Sequence, residues 1–242
     1  MWCIAKGENA AFVAAMEDIL DLYCQPYDAD DPVVCMDEIP YQLLGEIREP
    51  LPMRPGKPLK VDAEYVRNGA CSIFVFTEPL RGWRYANAHE RRTKVDWAME
   101  IRWLPEEKYP QAKKVRLVSD NLNTHVISSL YEAFPASEAR ALARRLEMYH
   151  TPKHGSWLNI AEIVISALAR QCLCRRIPNL DLLASELLSW NLLSNADPQP
   201  VVWQFTTEHA RVKLRTCIHK RRSKRAKWEI MTLASSEDVE TS

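Results

Sequence analysis

The chain has 242 residues, 47% of them hydrophobic and 26% charged, with 32 basic residues against 32 acidic ones. That length can bury a sizeable core in one large domain or in a domain with an appendage. No apolar run approaches the roughly 18 residues of a membrane span, and the start lacks a secretory pattern, so a cytoplasmic protein with no membrane partner is expected. Seven cysteines are scattered through the chain without a CxxC pair, a pattern of reduced thiols rather than of a disulfide framework. The balanced charge counts against a dedicated nucleic-acid binder, yet it is unevenly placed. Between Arg211 and Lys227 stand nine Lys or Arg and no acid. Such a run is either a solvated terminus or a phosphate contact.

In chain order, residues 8–24 place Phe12, Met16, Ile19, Leu20 and Tyr23 on one stripe and predict an amphipathic helix. A polar turn follows, and Val33-Val34-Cys35-Met36 then predicts a short buried strand ending at Asp37. Residues 50–58 carry four prolines and predict an irregular loop. Residues 64–76 and 82–89 have the aromatic and β-branched character of two strands joined as a hairpin. Residues 93–107 predict a helix with Val95, Ala98, Met99, Arg102 and Trp103 on one side. Val115 to Val118 predicts a second buried strand, leading to Asp120. Helices are expected over 124–134 and over 137–147, the latter capped by Ser137, and a brief strand over 148–151. A Pro/Gly loop leads to a helix over 157–174, then to one from near Pro178 and a last one near 206–216. The order predicts an α/β fold, a mixed sheet flanked by helices.

The acids at the strand ends are the first candidates for chemistry. Asp37 and Asp120 sit where strands leave the core, the edge at which open α/β sheets bind ligands. Either alone is equally well a turn-former or a helix cap. Glu162 is the single ionisable group in the stretch 157–169, whose apolar character predicts a buried helix. A carboxylate there must be protonated, paired with an arginine such as Arg170 or Arg175, or bound to metal. If the three acids converge, hard divalent cations such as Mg2+ or Mn2+ would relieve their mutual repulsion. Two such ions would clamp an in-line phosphoryl displacement.

Among the neighbours, Glu38 is expected to point away from Asp37, since side chains alternate along a strand, and so to lie behind the acids or at the surface. Asn121 could steady a carboxylate or touch a phosphate, and His125 could cap the following helix. Lys153, His154, Ser156 and Trp157 precede Glu162, where nucleic acid would have to pass, so phosphate or stacking contacts are weighed there against a solvated lysine and a core tryptophan. His150 and His154 have zinc-pair spacing, but Pro152 and Gly155 argue against a continuous helix. Cys172 and Cys174 are read as inert core cysteines.

The segments CMDEIPYQLLGE (35–46), LVSDNLNTH (117–125) and HTPKHGSWLNIAEIVIS (150–166) resemble the three acidic blocks of DDE transposases. The resemblance is strongest to the bacterial insertion-sequence branch of the mariner superfamily. RNGACSIFVFTEPLRGW (67–83), SLYEAFPASEARALARRLE (129–147) and RQCLCRRIP (170–178) carry it further, so that it covers roughly residues 2–219. It implies a ribonuclease H-like fold over residues 33–210, preceded by a helical lead-in over 1–32 and followed by a basic tail over 211–242. It also implies Mg2+ or Mn2+ dependence, with two ions expected, and cleavage and strand transfer of transposon DNA ends into target DNA. Block for block it assigns the acids to Asp37, Asp120 and Glu162. A nucleoid-associated homodimer on paired ends is the expected assembly. The family's helix-turn-helix domains have no counterpart ahead of the first block, so a separate DNA-binding chain is an expected partner. A non-catalytic DNA-binding remnant and a repair or recombination nuclease are the alternative readings.

Overall fold

A computed structural model describes residues 9–58 and 60–213. Helix α1 (Asn9–Tyr23) leads into strand β1 (Val33–Glu46), which turns back through 47–64 into β2 (Tyr65–Glu78) and then β3 (Trp83–His89). Helix α2 (Lys94–Trp103), strand β4 (Val115–Ser119), helices α3 (Ser128–Ala133) and α4 (Ala136–Arg144), and strand β5 (Leu146–His150) follow. Helices α5 (Ala161–Gln171) and α6 (Leu180–Ala196) come last among the named elements, and residues 207–213 are again helical. The remainder of the expected last helix, and most of the basic tail, lie outside the described residues. No helix among the described residues is long and apolar enough to cross a membrane.

The five strands lie in the order β3-β2-β1-β4-β5. β1 pairs antiparallel with β2 and parallel with β4, and β4 pairs parallel with β5. Strand alternation divides the core into two faces. Val34, Met36, Phe74, Phe76, Val115 and Leu117 pack against Trp97, Ile101, Leu130 and Leu142 of α2, α3 and α4. On the other face, Cys35 and Val118 meet α1, while Ile73, Val75 and Ala86 meet α5 and α6. Each large side chain buried here stabilises the fold by about 1.5–3 kcal/mol.

Several expectations need correction. β1 does not stop at Asp37 but runs on to Glu46, because β2 offers it a long antiparallel partner that no local pattern reveals. Pro40, which cannot donate to a ladder, lies beyond Cys35, where β4 parts from β1. Helix α2 buries Trp97, Ala98, Glu100 and Ile101, while Val95 and Met99 are exposed. The predicted stripe therefore holds at Ala98 and Trp103 and fails at Val95 and Met99. The helix ends in a π-turn over Leu104–Lys108. Ser137 is not a cap, since α4 begins behind Pro135, and Leu146 belongs to β5 rather than to the helix. The helix expected over 157–174 is shorter, with a 3-10 turn at Ser156–Leu158 ahead of it. Cys172 is buried as expected, but Cys174 is exposed beyond the helix end, and both are free thiols.

The outer edge of β3 is closed by side chains rather than by another strand. Asn191 and Asn195, one turn apart on α6, bond the N–H and C=O of Ala86 and of Arg84 at 2.7–3.0 Å. This satisfies backbone groups that would otherwise invite another strand. On the inner side of β3, the Glu100 carboxylate is buried and accepts bonds at 2.6 Å from Asn87 and His89.

That bond to Glu100 raises the His89 pKa above its ordinary 6.5, against the lowering effect of burial, and the Glu100 and Asp96 charges add to the rise. A raised folded-state value stabilises the fold fully below the unfolded value and loses that contribution as pH rises through the folded one. His89→Gln should therefore lag wild type most in denaturation free energy below about pH 6.5, and the gap should narrow at higher pH. A pH-independent gap in chemical denaturation would rule out a charged His89.

Candidate active site

β1 and β4 are parallel neighbours from which the chain departs in opposite directions, to β2 on one side and to β5 on the other. The crevice beyond the carboxyl ends of such a pair is where open α/β sheets take ligands. Cys35 stands opposite Val118 in this ladder. Asp37 and Asp120, each two residues further along, therefore flank the crevice.

Asp37 is held from two directions. The Glu38 N–H donates to its Oδ1 at 2.8 Å, and Asn159 Nδ2 reaches its Oδ2 at 3.3 Å while donating to the Met36 carbonyl at 2.8 Å. The Asn159 side-chain oxygen accepts from the Ala161 N–H at 3.1 Å, and its backbone carbonyl accepts from the Glu162 N–H at 3.1 Å. One buried amide thus ties the strand of Asp37 to the first turn of α5, which carries Glu162. The sequence offered one sign of this: an asparagine that can bond the backbone two residues on, set just before a helix.

Burial pushes the Asp37 carboxyl up, the Glu38 N–H draws it back, and the charges of Asp120 and Glu162 raise it again, to about 6. The three carboxylates therefore share one electrostatic neighbourhood. Glu162, however, is exposed, and the expectation that it lies inside an all-buried helix is corrected. Ala161, Val164 and Leu168 of α5 are buried and Ile165 packs against the core, while Ile163 is half exposed, so apolar composition does not mean burial on every side. Of the two arginines considered as its partners, Arg170 donates to Ser166 and Arg175 pairs with Glu186. The position of Glu162 in the first turn also suits a carboxylate facing the positive end of the helix dipole.

Among the described residues, no three His, Cys, Asp or Glu side chains form a ready-made metal cluster. One Asp120 oxygen is turned toward His125. The donor set still fits a hard divalent cation: carboxylate oxygens at a crevice mouth, one of them raised in pKa by burial and, to a lesser degree, by the charges of the other two. It does not fit zinc. His150 Nδ1 lies against Ser119 Oγ and the Asp120 carbonyl, and His154 is exposed in the next loop.

His125 is the residue that sequence reasoning placed least well. It does not cap α3, whose cap position is Ile127. Its ring is fully buried and stacks on Trp97, with centroids 5.9 Å apart and planes 24° apart. Nδ1 is 2.5 Å from Asp120 Oδ1, and Nε2 is 3.8 Å from Glu38 Oε2. The second distance is that of an ion pair and too long for a hydrogen bond. Burial would lower its pKa, but the bond to Asp120 and the adjacent Glu38 and Asp120 charges outweigh that and hold it at about 9. Glu38, expected to point away from Asp37, does so, and its side chain is buried rather than at the surface.

The expected nucleic-acid contacts lie on two loops. Asn121 is exposed immediately after Asp120, and Lys153, His154 and Ser156 are exposed ahead of Glu162. His154 has φ 64°, a left-handed conformation that favours glycine, and Gly155 is pressed against Pro152, where a Cβ would come within 2.7 Å of the ring. Trp157 is half-buried and meets Phe205 edge to face at 5.7 Å, so part of the core-tryptophan reading holds.

The fold has relatives of known structure. The catalytic domain of the Mos1 mariner transposase aligns with a TM-score of 0.52 and 11% identity, over 78% of this chain and 83% of that one. A Mos1 mariner paired end complex with Mn gives 0.53 and 16% identity, over 80% and 58%. A Mos1 strand transfer complex gives 0.54 and 12%, over 79% and 57%. The chain thus spans less than two thirds of the Mos1 chains in those two complexes. The likeness establishes the five-stranded mixed sheet and its helices as a ribonuclease H-like fold. No curated protein sequence is significantly similar to the chain. The model for the DDE superfamily endonucleases matches residues 32–184, more than half of the chain and all three acids, and the chain belongs to that family.

Proposed function

We propose that the chain is the catalytic part of a DNA transposase, with Asp37, Asp120 and Glu162 as its metal-holding acids. The observation that carries the reading is the placement of Asp37 and Asp120 at the parallel-strand crevice, with Asn159 tying Asp37 to the turn that carries Glu162. Two Mg2+ or Mn2+ ions bound there would activate the attacking oxygen and stabilise the leaving one during in-line displacement at a phosphodiester. The chain's own residues prepare that site. Asn159 fixes Asp37 against the turn that carries Glu162, and the exposed loops at Asn121 and at Lys153, His154, Ser156 and Trp157 receive the DNA backbone. The Mos1 structures, described as a paired end complex with Mn and a strand transfer complex, support divalent metal, DNA ends and paired-end assembly. We extend this to a homodimer acting on transposon ends and target DNA.

The test is conversion of supercoiled plasmid by the purified chain with Mg2+, with Mn2+ and with chelator. Nicking that needs the metal, together with strand-joined products, is the expected result. Metal-dependent nicking that never joins ends would favour a repair nuclease, and an absence of nicking with either metal would contradict the proposal.

A further inference from the structure

Asp120 ends β4 on a short loop, where a free carboxylate could take several rotamers. The turn at 122–125, closed by the His125 N–H on the Leu122 carbonyl at 3.0 Å, folds the His125 ring back beneath it. Nδ1 then binds one Asp120 oxygen at 2.5 Å, and the ring is clamped by Trp97 on its face and by Glu38 beyond Nε2. Glu38 is anchored in turn by Arg92 at 3.3 Å, and it is the covalent neighbour of Asp37. The orientation of the second acid is therefore referred to the strand that carries the first.

From this geometry we infer that His125, backed by Glu38, is a positioning residue that commits Asp120 Oδ1 to the protein and leaves Oδ2 turned to the cation. The arrangement has the physical logic of an outer shell around a metal ligand: the carboxylate loses its rotational freedom and presents one oxygen. A ring that only filled space would need neither Nδ1 aimed at a carboxylate nor a second buried acid behind it. Among the described residues, Nε2 has no hydrogen-bond acceptor within range, so Glu38 acts on the ring through charge and packing. The inference rests on the proposed metal site.

The test is Mn2+ affinity of the DNA-free chain, read from the paramagnetic signal of unbound Mn2+, for wild type, His125→Leu and His125→Asn. Leucine fills the space without a donor, whereas asparagine, though smaller, can still donate to Asp120 from the position of Nδ1. His125→Leu is expected to weaken Mn2+ binding by about 10–100-fold, and His125→Asn to stay within about threefold of wild type, at similar thermal midpoints. Leucine binding as tightly as wild type, or asparagine as weakly as leucine, would overturn the inference alone. A wild-type chain that binds no Mn2+ would overturn it together with the metal-site reading. If His125→Leu does not fold, Glu38→Met carries the test. It removes the backing charge and should weaken binding by about threefold or more, and unchanged affinity would overturn the inference.

Discussion

Asp120→Ala is expected to reduce metal-dependent plasmid nicking on the order of 10³-fold or more, to the level of background. Stabilisation of a developing oxyanion by a correctly held cation is worth several kcal/mol, and each 1.36 kcal/mol is tenfold in rate. Asp120 lies past the end of β4 and outside both core faces, so the sheet should survive its loss. The buried His125 would lose its hydrogen-bonded partner, however, and the thermal midpoint should fall by several degrees. Asp120→Asn separates the two effects. Its amide oxygen can still accept from His125, so stability should return toward wild type while cleavage remains lost. Substantial cleavage in either variant would remove Asp120 from the reacting centre.

Asn159→Ala is expected to cost about 2–3 kcal/mol of stability and to weaken Mn2+ binding as well. Its amide is 1% exposed and joins Met36, Asp37 and Ala161, so truncation leaves a buried carbonyl and a buried N–H without partners. The loss should appear as a lower denaturation midpoint with an unchanged denaturant slope. The loss of affinity follows because nothing else described so directly couples the strand of Asp37 to the turn of Glu162. Asn159→Asp should fail as well, since it keeps an acceptor for Ala161, cannot donate, and sets a second carboxylate against Asp37. Wild-type stability and affinity in both variants would show that the amide braces nothing.

The parts of the fold legible in the sequence are those decided by local pattern. The stripe Phe12, Met16, Ile19 and Leu20 gave α1, and the apolar run at Val33–Met36 marked the start of β1. The three acids stood out because each interrupts an apolar run, and two of them flank the crevice at which β1 and β4 part. What could not be read depends on partners distant in the chain. The full length of β1 is set by β2, some 30 residues on, and the edge of β3 is closed by asparagines about 105–111 residues later. His125 looked like a helix cap because its two acidic neighbours are set by tertiary packing rather than by spacing. Glu162 shows the opposite error. Its stretch is apolar enough for a buried helix, yet only one face of that helix meets the core.

Mn2+ binding by the DNA-free chain tests the proposed metal site most directly. Wild type should be compared with Asp37→Ala, Asp120→Ala and Glu162→Ala by titration under the same buffer conditions. Saturable binding in wild type that is weakened in all three variants is the predicted result. Binding of equal strength in wild type and all three would place the metal elsewhere and contradict the assignment of these acids.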